Sequence, residues 1–183
     1  MLSLPLATLD VGRMALNFSV INTAMSQLWD HGWFDLTHFK IEGPTLQRQD
    51  PIRVIRDFLR DPISQCSFCT PGPWGESVQR HGPFLHEKLV AEWFRPVTAE
   101  ELANQIKTVL DTSFAEPPQV GQQLPVKSWV QTVKARGDTL FALEVPDQQD
   151  IRVEWHLVWD VFEEFVAIGA DRQELAIGVI GYD

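Results

Sequence analysis

Hydrophobic residues near the start of the chain recur every three or four positions. This spacing is typical of one face of an α-helix. Gly32 follows the pattern as a C-terminal stop, so we predict a first helix over about residues 10–30. The stripe consists of Met14, Phe18, Ile21, Met25 and Leu28.

Three further helices are predicted before residue 115. Asp50 followed by Pro51 is a typical helix start, and Pro62 ends the apolar face that follows it. Apolar residues at helical spacing predict a third helix over 84–94. Thr98-Ala-Glu-Glu101 has the form of a capping box, which predicts a fourth helix after Thr98.

From Val126 onward the hydrophobic pattern changes to a period of two, which indicates β-strands. Arg136-Gly137-Asp138 is interpreted as a hairpin turn, because glycine accepts a positive φ. The predicted strands are 129–134, 140–145, 151–159, 165–169 and 175–180.

These patterns predict an α+β fold in a single domain of residues 1–183. About four N-terminal helices, in residues 1–115, are expected to pack on one face of a C-terminal five-stranded antiparallel meander, in residues 126–183. The last hairpin resembles the closing hairpin of many small bacterial α+β proteins, a likeness of architecture that carries no function.

Composition and charge narrow the classes of function. Hydrophobic residues make up 44% and charged residues 22%, which is typical of a globular protein. The net charge is −10, and from Asp138 to Asp183 eleven acidic residues face only Arg152 and Arg172. An acidic surface repels phosphate backbones and anionic lipid. We therefore expect no nucleic-acid binding by this half, no membrane binding, and a protein partner with a basic surface.

The cysteine content and the N-terminus indicate a cytoplasmic protein. Two cysteines are too few for a disulfide scaffold, and the first residues lack the basic segment of a signal peptide.

One cysteine pair has the spacing of a metal site. Cys66-Ser-Phe-Cys69 is followed by His81 and His86, and thiolates and imidazoles are the usual zinc ligands. The alternative is a pair of ordinary reduced cysteines in a loop, because Gly82 and Pro83 separate the two histidines. No cofactor is expected, with zinc as the alternative.

Candidate binding residues are acidic or aromatic. Glu144 and Glu154 are expected on the solvent face of the meander, and Trp74 lies in a segment rich in proline and glycine, where it could anchor a partner. The acidic trio Asp160, Glu163 and Glu164 could hold a hard cation, but the ligand rhythm of a calcium loop is absent.

The sequence favours a non-enzymatic binding protein over an enzyme. It contains no nucleophile elbow, phosphate-binding loop, dinucleotide fingerprint or zinc-protease motif, so no catalytic residue is assigned. The first hypothesis is an immunity, inhibitor or assembly-accessory protein that uses the acidic C-terminal sheet surface. The alternatives are a zinc-binding module or metal-dependent enzyme centred on the CxxC loop, and a structural subunit of a larger complex.

Overall fold

A computed structural model describes residues 15–28, 32–65, 80–112, 118–146, 151 and 161–182. In these ranges the chain forms an antiparallel sheet of six strands, a separate two-stranded hairpin and helices on both sides of the sheet. The strands are β1 (Asn17–Gln27), β2 (Gly32–Glu42), β3 (Arg80–His81), β4 (Phe84–Leu85), β5 (Phe94–Val97), β6 (Thr139–Leu143), β7 (Val161–Ile168) and β8 (Glu174–Tyr182).

The described helices are one single turn and three longer segments. The helices are α1 (Thr45–Arg48), α2 (Pro51–Arg60), α3 (Ala99–Thr112) and α4 (Leu124–Arg136). The short 3-10 turns are Pro62–Gln65, which follows α2, and His86–Lys88 and Ala91–Trp93, which connect β4 with β5. In the part of the chain that the structure describes, no helix is both long and apolar enough to cross a membrane.

The strand order in the large sheet is β1-β2-β8-β7-β6-β5, and every neighbouring pair is antiparallel. The C-terminal strand β8 is therefore central, between a hairpin from the start of the chain and β7. β3 and β4 form the separate hairpin, which begins at Arg80.

Each face of the sheet contributes to a hydrophobic cluster, and the two clusters contain different helices. On β8, Leu175 and Ile177 point to one face and pack in a cluster with Ile55 of α2, which we call the α2 core. Ala176 points to the other face and packs with Ile106 of α3 in the α3–α4 core. β8 is apolar on both faces because a strand covered on both sides has no wet face to place polar residues on.

The predicted first helix is wrong, because this part of the chain forms strand β1. Phe18 is buried, but Ile21 and Met25, which the helical stripe would bury, are 51% and 74% exposed. Asn, Ser and Thr residues, which are weak helix formers, occur throughout the strand, and β-branched Val20 and Ile21 favour extended backbone.

Two more predicted elements are wrong. Residues 84–94, predicted as a helix, form β4, two 3-10 turns and the start of β5. Residues 129–134, predicted as a strand, lie within α4. Gly137 has a positive φ of 68° as predicted, but it ends a helix there and does not turn a hairpin.

The predicted arrangement of about four N-terminal helices on one face of a C-terminal five-stranded meander is therefore wrong. The described sheet has six strands, it starts with the N-terminal hairpin β1–β2, and helices pack on both of its faces. The general α+β class is compatible with the structure.

Other local predictions are confirmed. Helix α2 begins after Asp50, whose side chain accepts a hydrogen bond from the Ile52 amide, with Pro51 in the first turn. The Thr98–Glu101 capping box forms, and β7 and β8 make the closing hairpin. The predicted strand over 151–159 lies outside the described residues except for Ile151.

Candidate functional site

The structure describes half of the predicted site residues. Cys66, Cys69, Trp74, Glu154 and Asp160 lie outside the described ranges, whereas His81, His86, Glu144, Glu163 and Glu164 lie within them. The described residues fall into two places. One is a buried cluster around the two histidines, and the other is a group of acidic side chains at one end of the sheet.

The histidine cluster is positioned by the β3–β4 hairpin, which sits against β7. Gly82 in its turn has a φ of 55°, and a Cβ there would lie 2.2 Å from the Phe162 ring. Glycine is therefore required for both backbone conformation and close approach. The Leu85 amide donates to the Ile151 carbonyl at 2.7 Å, which ties the hairpin down on its other strand.

His81 and Glu164 form a pair in the core. His81 Nε2 lies 2.5 Å from Glu164 Oε2, and the two side chains are 0% and 1% exposed. Burial alone lowers the pKa of His81, but the charge and hydrogen bond of Glu164 and a hydrogen bond to the Ser64 backbone raise this pKa above its ordinary value. The raised pKa favours the charged imidazolium of His81 beside Glu164, and this contact links the hairpin to β7.

His86 is bonded to a serine instead of an acid. Its Nε2 lies 2.8 Å from Ser64 Oγ, and Ser64 Oγ also lies 2.8 Å from the Asp61 carbonyl oxygen. A carbonyl can only accept, so the serine donates its proton to Asp61 and accepts from His86. Burial, and then the charge of His81, lower the pKa of His86.

This arrangement does not match an activated serine. A nucleophilic serine donates its proton to an adjacent base, whereas Ser64 donates to a backbone carbonyl and is fully buried. His86 also lines a surface cavity of about 320 Å³. The described residues of that cavity include no hydroxyl or thiol, and its Arg56 is bonded to Glu92 at 2.6 Å.

The described residues do not contain a group of three or more histidine, cysteine, aspartate or glutamate side chains arranged to hold a metal ion. The two histidine rings lie near each other, with centroids 6.3 Å apart. Each uses its Nε2 for a contact within the protein. A zinc site of the predicted kind therefore depends on Cys66 and Cys69.

The second place is the acidic end of the sheet, which we define as Glu101, Glu144 and Glu163 together with Arg95. Arg95 Nε contacts Glu144 Oε1 at 2.7 Å, and Arg95 Nη1 lies 3.9 Å from Glu101 Oε1. The β6–β7 register, continued two residues beyond Ala142, places Glu144 opposite Glu163. Arg95 thus contacts two carboxylates, and Glu163 lies beside one of them, Glu144.

The environment of Glu163 disfavours the ionised form of its side chain. Burial, and then the negative charge of Glu144, raise the pKa of its carboxyl. Glu144 itself is about half exposed. Among the residues that the structure describes, no basic residue is found to offset the loss of water of the ionised Glu163 carboxylate.

Glu163 and Glu164 are adjacent in the sequence but belong to different places. Successive side chains of a strand point to opposite faces, so Glu163 faces the acidic end and Glu164 faces the histidine cluster. The sequence pattern did not identify Ser64 or Arg95. Their partners lie 22 and 49 residues away, so no local spacing indicates them.

Fold and site together define an α+β protein with an antiparallel sheet between two helical layers, a buried histidine cluster and an acidic sheet end. Comparisons with protein-family models, with curated proteins and with solved structures found no match.

Proposed function

We propose that this chain is a non-enzymatic protein-binding protein that receives a basic segment of its partner at the acidic end of the sheet. The observation that carries the proposal is the half-buried Glu163 beside Glu144, with its raised pKa. A lysine or arginine from a partner would offset the repulsion between these carboxylates. Binding of a cation at this point is therefore favoured over binding at an evenly charged surface.

The charge distribution along the chain supports the same location. The described ranges hold sixteen acidic and thirteen basic residues, so most of the net charge of −10 belongs to the remaining segments. Residues 147–160, which connect β6 with β7 in the sequence, carry Asp147, Asp150, Glu154 and Asp160 against Arg152 alone. An immunity, inhibitor or assembly-accessory protein uses such an acidic surface to attract a basic partner and to speed the encounter.

The test is a comparison of three baits in lysate of the native host at low salt. The first is the unchanged chain, the second Glu144→Gln with Glu163→Gln, and the third Glu87→Gln with Glu100→Gln, which removes equal charge from exposed sites elsewhere. We expect a basic protein on the first and third baits. Its affinity for the second should be about tenfold lower, equivalent to about 1.4 kcal/mol. Equal retention of that protein by all three baits would place the binding surface elsewhere.

We propose a zinc site of Cys66, Cys69, His81 and His86 as a second candidate. What supports it is that Ser64, two residues before Cys66 in the sequence, contacts His86, and that the His81 ring lies beside the His86 ring. The last described residues before the two cysteines therefore lie close to both histidines. The histidines would supply two of the usual four zinc ligands, and the cysteines the other two.

Elemental analysis of purified protein tests this candidate. The expected result is one zinc per chain, lost in Cys66→Ser with Cys69→Ser, together with a lower unfolding temperature in chelator. Sub-stoichiometric zinc and an unfolding temperature that chelator leaves unchanged would exclude the site.

A further inference from the structure

The first strand of the sheet is a long edge that no other strand in the described part of the chain covers. β1 has eleven residues and pairs with β2 on one side, and no described strand pairs with its other side. Its sequence, Asn17-Phe-Ser-Val-Ile-Asn-Thr-Ala-Met-Ser-Gln27, contains no charged residue and no proline. An edge of this kind presents a row of backbone donors and acceptors to any strand that approaches it.

The opposite edge of the same sheet is protected. β5 has only four residues, and among them Pro96 has no backbone N–H and Arg95 carries a charge. Short length, proline and charge are the devices by which proteins prevent edge-to-edge pairing. On β1 the comparable feature is a bulge between Val20 and Asn22.

Apolar side chains accompany this open edge. Val20 and Ile21 are 51% exposed and Met25 is 74% exposed. Val20 lies opposite Phe39 and Met25 opposite Asp35. Phe39 and Asp35 are four residues apart on β2, so Val20 and Met25 lie on the same face of the sheet, the face of the α2 core.

We infer that β1 pairs antiparallel with β1 of a second copy of this chain, which joins two six-stranded sheets across a twofold axis. Charge decides between a second copy and another protein. Copies with a net charge of −10 repel each other, and they can approach closely only where the surface is uncharged. β1 provides such a strip along its whole length. β1 itself carries no acidic residue that would attract a basic partner, whereas the acidic end does.

A twofold pairing also matches the shape of the edge. An isologous interface uses one surface twice, so the two edges have equal length and direction by symmetry. Glu144 directly follows β6 and Glu163 lies on β7, and both strands are separated from β1 by at least two strands in the sheet order. The dimer would therefore leave both acidic ends accessible, and it is independent of the function proposed for them.

The experiment is sedimentation velocity of the full chain over a range of concentrations, at low and at high salt. We expect a species of twice 20.9 kDa whose dissociation constant falls as salt rises, because salt screens the repulsion between the copies. Association with a basic partner would show the opposite dependence on salt.

Paired variants make the test specific to β1. Ile21→Lys with Met25→Lys places two charges on the edge of each copy, and we expect the dissociation constant to rise at least about 100-fold. Val120→Lys with Leu124→Lys is the control, since these residues are 74% and 58% exposed and also four positions apart. The control should leave the dimer intact, and circular dichroism should show that both variants keep the fold.

Two results would overturn the inference. One is a monomer at every concentration and salt. The other is a dimer that the β1 variant and the control variant weaken equally, which would place the interface away from this strand.

Discussion

At the scale of single residues, the clearest contrast lies between Glu163 and Glu164. These two glutamates are adjacent on β7, but their side chains lie in different environments. Glu164 has a histidine partner in the core, and Glu163 has a second carboxylate beside it. Removing one partner of a buried ion pair destabilises a fold, whereas a carboxylate beside a second carboxylate is more easily protonated.

The His81–Glu164 pair gives a prediction for the pH dependence of stability. The pKa of His81 is raised in the folded protein, so its contribution is fully present below the unfolded pKa of about 6.5 and is lost as pH rises through the folded pKa. Glu164→Gln should lower the free energy of unfolding by about 3 kcal/mol near pH 6.5, because it leaves a buried imidazolium without its counter-ion. The difference between variant and wild type should shrink toward pH 9. Urea unfolding at a series of pH values measures both effects.

Glu163→Gln is the matched control for that experiment. It removes the same type of charge from the next residue, on the opposite sheet face, and it leaves the histidine pair intact. We expect it to keep the wild-type loss of stability above about pH 6.5. A Glu164→Gln protein with the same pH dependence as the control would mean that His81 does not carry the charge.

Substitution of two glycines distinguishes the cost of backbone strain from the cost of a steric clash. Gly137 and Gly82 both have a positive φ, but a Cβ at Gly137 would meet nothing within 4 Å, whereas one at Gly82 would meet the Phe162 ring. Gly137→Ala should cost about 1 kcal/mol of stability from backbone conformation alone. Gly82→Ala should cost about 1–3 kcal/mol more, because the ring must move. Chemical denaturation of the two variants side by side measures the difference, and equal losses would contradict the close packing at Gly82.

At the scale of elements, the sequence predicted helix starts well, because the residues that define a helix start are close together in the chain. Asp50 with Pro51 and Thr98 with Glu101 mark helix starts through contacts within three residues, and both were predictable. β1 was not, because its apolar residues fit a helical stripe about as well as a strand with a bulge. Pairing with β2, such as Phe18 opposite Ile41, decides the outcome.

The strand predicted within helix α4 was wrong because the prediction considered only residues 129–134. The six residues from Trp129 include Trp, Thr and two Val, which are residue types common in strands. Val126, Trp129 and Val133 are the buried residues of the element, and their spacing of three and four is helical. Pro125 in the first turn supports a helix start at the same place.

The site was less predictable than the fold, for a physical reason. His81 and Glu164 are 83 residues apart in the sequence, and their contact depends on the docking of a hairpin onto the sheet. Neither spacing nor composition records such a contact. The acidity of the C-terminal part was visible in the sequence, but which glutamates are buried depends on strand register.

The capping box provides a prediction for α3. Thr98 Oγ1 accepts from the Glu101 amide at 3.1 Å, and Glu101 Oε2 accepts from the Thr98 amide at 2.7 Å. Thr98→Ala removes the first bond and should cost about 1 kcal/mol of stability. Thr98→Ser keeps the hydroxyl and should cost much less. Thermal unfolding of the two variants measures this, and equal losses would mean that the hydroxyl contributes little.

At the scale of the whole molecule, the sheet serves as the common wall of two hydrophobic cores. β8 contributes Leu175 and Ile177 to the α2 core and Ala176 to the α3–α4 core. Detachment of this strand would therefore disrupt both cores. The two layers of helices do not need to touch each other for their stabilities to be linked. That residues 1–183 form a single cooperative domain stays a prediction. The shared strand β8 makes it testable, because it links the stabilities of the two cores.

Ile55 and Ile106 form a matched pair for that test. Both are isoleucines no more than 3% exposed, and they lie in the two cores on opposite sides of the sheet. Ile55→Val and Ile106→Val should each lower the free energy of unfolding by about 1 kcal/mol through loss of one buried methylene. The double variant should lose the sum within about 0.5 kcal/mol, because the two residues belong to separate clusters.

Cooperativity is decided by the shape of the transition in urea. If the chain is one unit, far-UV circular dichroism and tryptophan fluorescence, to which buried Trp129 contributes, give coincident curves with the same denaturant slope in all four proteins. If the helical layers unfold separately, Ile106→Val shifts the fluorescence curve away from the dichroism curve and its slope falls. The second result would mean that β8 holds together two independently unfolding layers, and the single-domain prediction would be wrong.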